Sequence, residues 1–353
     1  MIGKINHIRY NDLNRLLSGQ FSKDDKVNLF INLEHLVRPL LGKNYKKYLQ
    51  TRKDDRVKEL ISDILNIAAH YRKFFASSGI YTKVYMYIGR PDCSKYLNQL
   101  HDPNYRAPYF ERFNRSDAVG VRGLIEEALK LAKVIVDYID GVYILETTVI
   151  EPSIIPQYIS KNGWRNVLLT NDVYEYQYAA ENDFIILRAK LNDHHIVTKE
   201  NVIERIKLHE KVSSDITFDP SFASLIISGI KDKYRGITNL GNLSLTKWIK
   251  LLKELEKGHY ISSPDPDISP IAYMPADVID PDVAAQLIIN HKMVDIPHQE
   301  KIIKMDELID GLLIDKFDNV SLKGIGDMFT EFPINLIEIQ DFAPTKGTKI
   351  RWD

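Results

Sequence analysis

Short apolar runs closed by polar or small residues recur through the first half of the chain and read as buried strands. Val27-Asn28-Leu29-Phe30-Ile31 is one, and Lys83-Val84-Tyr85-Met86-Tyr87-Ile88 is a second. Val167-Leu168-Leu169-Thr170 and Phe184-Ile185-Ile186-Leu187 are a third and a fourth. Between them, apolar residues fall at helical spacing over 57–75, for example Leu60, Ile64, Ile67 and Ala68, and again over 124–138. Strands separated by long helices predict right-handed crossovers, hence an α/β fold with a mostly parallel central sheet flanked by helices. Such a sheet carries its functional groups at the carboxyl ends of its strands. After Lys199 the pattern is helical only, as far as about Glu256.

A composition shift near residue 260 divides the chain. Ser262-Ser263-Pro264-Asp265-Pro266-Asp267 is followed by Pro270, Pro275 and Pro281, and prolines this dense favour extended backbone. The expected organisation is an α/β domain over 1–198, a helical region over 199–260, and an extended region over 261–353 suited to a protein partner or a second copy. Charge follows the same division. Residues 261–345 hold sixteen Asp or Glu against five Lys or Arg, a net −11, while 1–260 carries about +8. A basic body attracts phosphate backbones, and an acidic extension can cover such a body or remain a solvated surface.

Other classes recede on composition. No apolar stretch approaches the ~18 residues that span a bilayer, and the first residues lack the apolar core of a secretory signal. One cysteine, Cys93, excludes an intramolecular disulfide and a cysteine zinc site, so a cytoplasmic setting is expected. No phosphate-binding glycine loop and no serine elbow occurs. His194-His195 follows a strand without a third ligand at metal spacing and reads as a turn pair.

Strand ends hold the informative residues: Asn32-Leu33-Glu34, Gly89-Arg90-Pro91-Asp92, Glu151-Pro152-Ser153 and Thr170-Asn171-Asp172, then Ser228-Gly229-Ile230-Lys231-Asp232-Lys233-Tyr234-Arg235-Gly236. In this order they resemble the flap-endonuclease and phage-type 5′-nuclease family, a PIN-like fold, over roughly 25–257. The first strand of that family ends in V-D-G, and here Asn32 stands at the acidic place. For its F-D-G the chain has Tyr87-Ile88-Gly89, with Ile88 at the acid. Tyr105-Arg106-Ala107-Pro108-Tyr109 is similar to the run that opens the helical arch. Glu151-Pro152-Ser153-Ile154-Ile155 looks like E-A-D-D-V, with Ser153 and Ile154 in place of acids. Thr170-Asn171-Asp172-Val173-Tyr174 matches T-G-D-K-D with Tyr174 at the second acid, and Ile230 or Lys233 fills the last acidic place.

Of these places Glu151 and Asp172 alone keep a carboxylate. A two-metal phosphodiesterase site needs a cluster of hard oxygen ligands to clamp two cations. The resemblance therefore implies a nuclease-like protein with no catalytic residues, no metal and no cofactor, serving nucleic-acid binding or assembly, with a large DNA phage or virus as its expected source. The location would then be host cytoplasm or virion. Structural roles compete for both survivors: Asp172 as the N-cap of a helix, Glu151 at a helix start before Pro152. The competing reading is an active Mg²⁺-dependent nuclease with a rearranged site of Glu146, Glu151, Asp172, Glu175 and Asp232.

Nucleic-acid contact is expected from Arg90, Tyr105, Arg106, Arg112 and Arg115 in an arch-like segment, where cations alternate with aromatics. Lys231, Arg235, Gly236, Gly241 and Lys247 form a second candidate, a helix–hairpin–helix-like element whose backbone amides could hold a phosphate. A basic face snorkelling over a small aromatic core is the structural alternative to both.

Overall fold

The computed structural model describes residues 8–34, 53–89, 119–147, 151–160, 163–180, 184–190, 193–231, 237, 240–241, 243–257, 269–274, 277–297 and 339–347. The four expected strands are present as β1 (Lys26–Asn32), β2 (Tyr81–Gly89), β4 (Arg165–Leu169) and β5 (Phe184–Lys190). Two more were not read from the sequence: β3 (Val142–Thr147) and β6 (Asp193–Val197). They lie side by side in the order β3-β2-β1-β4-β5-β6. Neighbours are parallel throughout except β6, which runs antiparallel to β5. His194 and His195 belong to β6, paired with Ala189 and Arg188, so they are strand residues and not the turn pair that was expected.

Alternation along the strands sorts side chains onto two faces. Leu29, Ile31, Val84, Met86 and Ile88 enter a core shared with α2 (Lys53–Ser77) and α3 (Val119–Asp137), the two helices legible in the sequence. Phe30, Tyr85, Tyr87 and Leu168 point the other way. There they meet a 3₁₀ helix (Val173–Ala180), α5 (Val202–His209), α6 (Ala223–Ser228) and α7 (Leu245–Lys257). Helix α1 (Tyr10–Leu16) contributes Leu13 to the first core, and α4 (Ile155–Ile159) contributes Ile155 and Ile159 to the second.

The region beyond 260 departs from expectation in its described parts. Helix α8 (Pro281–Val294) is capped by Asp280, whose carboxylate accepts from the Asp282 and Val283 amides at 2.9 and 3.3 Å. It buries Leu287 in the second core, and Asn290 Nδ2 donates to the Ser228 carbonyl at 3.1 Å. Near the end of the chain a 3₁₀ turn (Ile339–Phe342) seats Phe342 in the first core. An ion pair from Lys73 to Asp341 and a bond from the Lys346 amide to the Ala76 carbonyl (3.0 Å) hold it against α2. In these segments Leu287 and Phe342 pack inside this chain, so the described parts are not the extended backbone expected.

Gly229 follows α6 with φ −87°, a backbone open to any residue. What demands glycine is the indole of Trp248, since a Cβ there would lie 2.4 Å from its Cδ1. Trp248 is fully buried and its Nε1–H donates to the Leu225 carbonyl at 2.9 Å, so the ring has nowhere to move. Gly229→Ala is expected to cost about 1–3 kcal/mol by overpacking. Gly123→Ala, in an exposed position of α3 with open space, is expected to gain about 1 kcal/mol. Urea unfolding midpoints of the two variants check the pair.

Candidate functional site

The chain builds β2 and β3 on one side of β1, then returns to place β4 and β5 on the other. The topological switch point therefore falls between the carboxyl ends of β1 and β4, where open α/β sheets bind ligands. Asn32 ends β1, and Thr170 follows the last residue of β4. Register sets Tyr87 of β2 directly beside Asn32. All three share one face, and Glu175 from the 3₁₀ helix reaches back to meet them.

Glu175 has 0% exposure and accepts from each of the three. Asn32 Nδ2–H donates to Oε2 at 2.9 Å and the Tyr87 hydroxyl to Oε1 at 2.5 Å. The Thr170 hydroxyl also donates to Oε2. The Asn32 amide cannot be turned around, because its Oδ1 accepts from the Glu34 amide at 3.0 Å. A reversed side chain would lose both bonds. Asp172 stands nearby as the N-cap expected of it: its Oδ1 accepts from the Tyr174 amide at 3.2 Å, and its own amide donates to Thr170 Oγ1 at 3.0 Å.

Burial raises the Glu175 pKa to about 7, helped by the charge of Asp172, while the three donors pull it down. Desolvation wins over the hydrogen bonds. Tyr87 is pushed well above the usual phenol range by burial and then by Glu175.

The other sequence candidates fall into place around this group. Ile88, expected at an acidic place of the site, lies on the opposite face in the α2/α3 core, and Tyr87 takes the position beside Asn32. A one-residue step exchanges the faces of a strand, so Ile88 and Tyr87 lie in different cores. Tyr174 is buried and its hydroxyl donates to the Ile230 carbonyl at 3.5 Å; Ile154 and Ile230 are apolar core. Ser153 is buried, and its Oγ donates to Glu151 Oε1 at 3.3 Å. Glu151 precedes a 3₁₀ turn that opens with Pro152, as read, though its side chain accepts no capping bond there.

Of the rearranged acidic set, Glu146 pairs with Ile88 and so faces away from Asn32, while Asp172 and Glu175 are neighbours. Among the described residues no three His, Cys, Asp or Glu side chains are placed to share a metal ion. Arg90, Tyr105, Arg106, Arg112, Arg115, Asp232, Lys233, Arg235 and Gly236 lie outside the described residues. Lys231, Gly241 and Lys247 are exposed, and Gly241 adopts φ +61° with open space beside it. Glu175 entered the sequence reading only in the rearranged set, and Tyr87 and Thr170 had no assigned role. The signal that would have found Tyr87 is the alternation Tyr85, Tyr87 against Phe30, Asn32.

The group makes stability depend on pH. Between about pH 4.5 and 7 the unfolded chain has released the Glu175 proton while the folded chain still holds it. Folding stability from this group is thus full below about 4.5 and falls as pH rises through 7, by about 3 kcal/mol. Asp63, raised to about 6 by burial and Glu59, acts in the same direction. The readout is therefore the difference between the native chain and Glu175→Gln, whose unfolding free energy is expected to fall less between pH 5 and pH 7.5. Identical pH slopes for the two proteins would contradict the assignment.

No protein-family model matches the sequence, and no curated protein sequence does. Solved structures do match. The bacteriophage T5 D15 flap endonuclease, in a complex with DNA and metal ions, aligns with a TM-score of 0.52 at 13% identity, covering 87% of this chain and 100% of that one. The T5 5′-exonuclease with zinc ions bound aligns at 0.50 and 11% identity, covering 87% and 98%. Sheet order, switch point and these alignments agree that the chain has the fold of the 5′-nucleases.

Proposed function

We propose that this protein is a nuclease-like nucleic-acid-binding or assembly component that does not cut. The observation that carries the reading is the saturation of Glu175 by Asn32, Tyr87 and Thr170. A Mg²⁺ ion requires about six oxygen ligands at about 2.1 Å. Here the groups facing the carboxylate are donors, which attract its lone pairs as a cation would, and the Asn32 amide nitrogen has no lone pair with which to ligate one. The one potential ligand atom of Asn32, Oδ1, is held by the Glu34 amide. Asp172 Oδ1 is engaged at the helix start. Among the described residues, those around Glu175 do not fit a two-metal centre.

What supports a nucleic-acid role is the fold, shared with a T5 enzyme whose structure contains DNA, and the exposed cations Lys231 and Lys247 near Gly241. Among the described residues no helix is long and apolar enough to cross a membrane.

Incubation with 5′-flap, nicked and single-stranded DNA under Mg²⁺ or Mn²⁺ is expected to give no cleavage. Metal-dependent cutting that disappears in Asp172→Ala would overturn the reading in favour of a rearranged active site. Asn32→Asp supplies the complementary measurement. A second carboxylate against Glu175 replaces a donor by a like charge and is expected to cost about 3 kcal/mol. Millimolar Mg²⁺ or Mn²⁺ is expected to return part of that loss in the variant and to leave the thermal midpoint of the native chain unmoved.

A further inference from the structure

We propose that the amino-terminal edge of the sheet, at the opposite end from Glu175, binds single-stranded nucleic acid through Lys26, Lys83 and Trp164. The choice of partner rests on the nucleic-acid reading above; the surface is a separate one. Register creates it. Lys26 pairs with Tyr81, Asn28 with Lys83 and Val27 with Arg165. Strand alternation therefore brings Lys26, Lys83 and Trp164, one residue before β4, onto the same face.

The two ammonium groups sit 5.6 and 5.1 Å from the centroid of the Trp164 ring, and Tyr81 meets that ring edge-on at 5.7 Å. Lys26 is exposed, and Lys83 and Trp164 are half-buried. Neither lysine has a carboxylate partner among the described residues. A cation over an exposed ring gains about 0.5–1 kcal/mol, but two cations on one ring also repel each other.

A third cation adds to the excess. Arg72 is fully buried, with Nη1–H donating to the Asp140 carbonyl at 2.7 Å, while Nε and Nη2 meet no acceptor among the described residues. Its Nη2 and the Lys83 stem both crowd Gly141, where a Cβ would lie 2.9 Å from Arg72 Nη2 and 3.5 Å from Lys83 Cγ. Asp140 is an acid whose charge acts on Arg72. A low-dielectric setting projects the Arg72 charge toward the lysines. An acidic peptide would answer the cations alone. A nucleic-acid strand answers them with phosphates and offers bases to Trp164 and to the half-buried rings of Tyr81 and Tyr143.

Fluorescence anisotropy of a labelled oligothymidylate, titrated with the full chain over a salt series without divalent ions, tests this. Lys26→Gln with Lys83→Gln keeps the stems over the indole and removes both charges. The double variant is expected to bind about tenfold more weakly, with a log–log salt slope shallower by about 1.4. Trp164→Leu is expected to lose about tenfold in affinity with the salt slope unchanged. If the native chain binds and these substitutions leave affinity and slope as they were, this surface is not the site, although the nucleic-acid reading survives. If the native chain does not bind at all, both are wrong.

Discussion

Glu175 places a carboxyl group beyond the reach of water at the switch point of the sheet, and the residues around it are those such a group requires. An ionised carboxylate cannot be buried without strong compensation. Asn32, Tyr87 and Thr170 supply that compensation from three different elements: the end of β1, the end of β2 and the turn after β4. The hydrogen bonds therefore tie together the parts of the chain that must meet for the sheet to close in its order. Each donor is itself fixed: Asn32 by the Glu34 amide, Thr170 by the Asp172 amide, and Tyr87 by full burial. A network in which every member is satisfied specifies one arrangement, and a partly satisfied one would be worse than an apolar core.

The same carboxyl group explains why the surrounding residues belong together. Suppose an acid stood at position 32 and the rest stayed as it is. Two buried carboxylates would then face each other, and their repulsion would be relieved by a cation or by a proton. With asparagine there, the amide donates where a cation would attract. Tyr87 extends the same logic by adding a second donor on the other oxygen. Ile154, Ile230 and the ring of Tyr174 then pack in the second core. Apolar packing near a charged cluster would be costly, while beside a satisfied and largely neutralisable carboxyl it is not.

Much of the frame was legible because it depends on local pattern. Continuous apolar runs marked β1, β2, β4 and β5, and helical spacing marked α2 and α3. β3 escaped because Val142-Tyr143-Ile144-Leu145-Glu146-Thr147 follows a long amphipathic helix with only the four residues 138–141 to separate the two periods. His194 and His195 escaped because β6 is short and polar, an edge strand with few apolar residues to announce it. The site was legible in part. Asn32 and Asp172 could be placed from strand ends and capping preference. Ile88 could not be separated from Tyr87, since the difference is one residue of register, settled only by the pairing of β2 with β1. Glu175 was hidden for a different reason: nothing in sequence tells a helix-face glutamate in water from one turned into a sheet. Prolines near residue 260 pointed to extended chain, yet Leu287 and Phe342 are inside because core packing overrides local composition.

Placing the charges this way also separates what the two ends of the sheet can do. At the carboxyl ends, negative charge is buried, matched by donors and partly neutralised by its own raised pKa. At the amino ends, positive charge is exposed on Lys26, half-buried on Lys83 and backed by the buried guanidinium of Arg72. A polyanion approaching the molecule meets a field from Glu175 that partial protonation, through the raised pKa, weakens. It also meets the lysines, because ammonium groups with no carboxylate partner among the described residues project their potential over about a Debye length. In a fold whose ligand site lies by topology at one end of the strands, Lys26 and Lys83, which have no carboxylate partner among the described residues, stand at the other end.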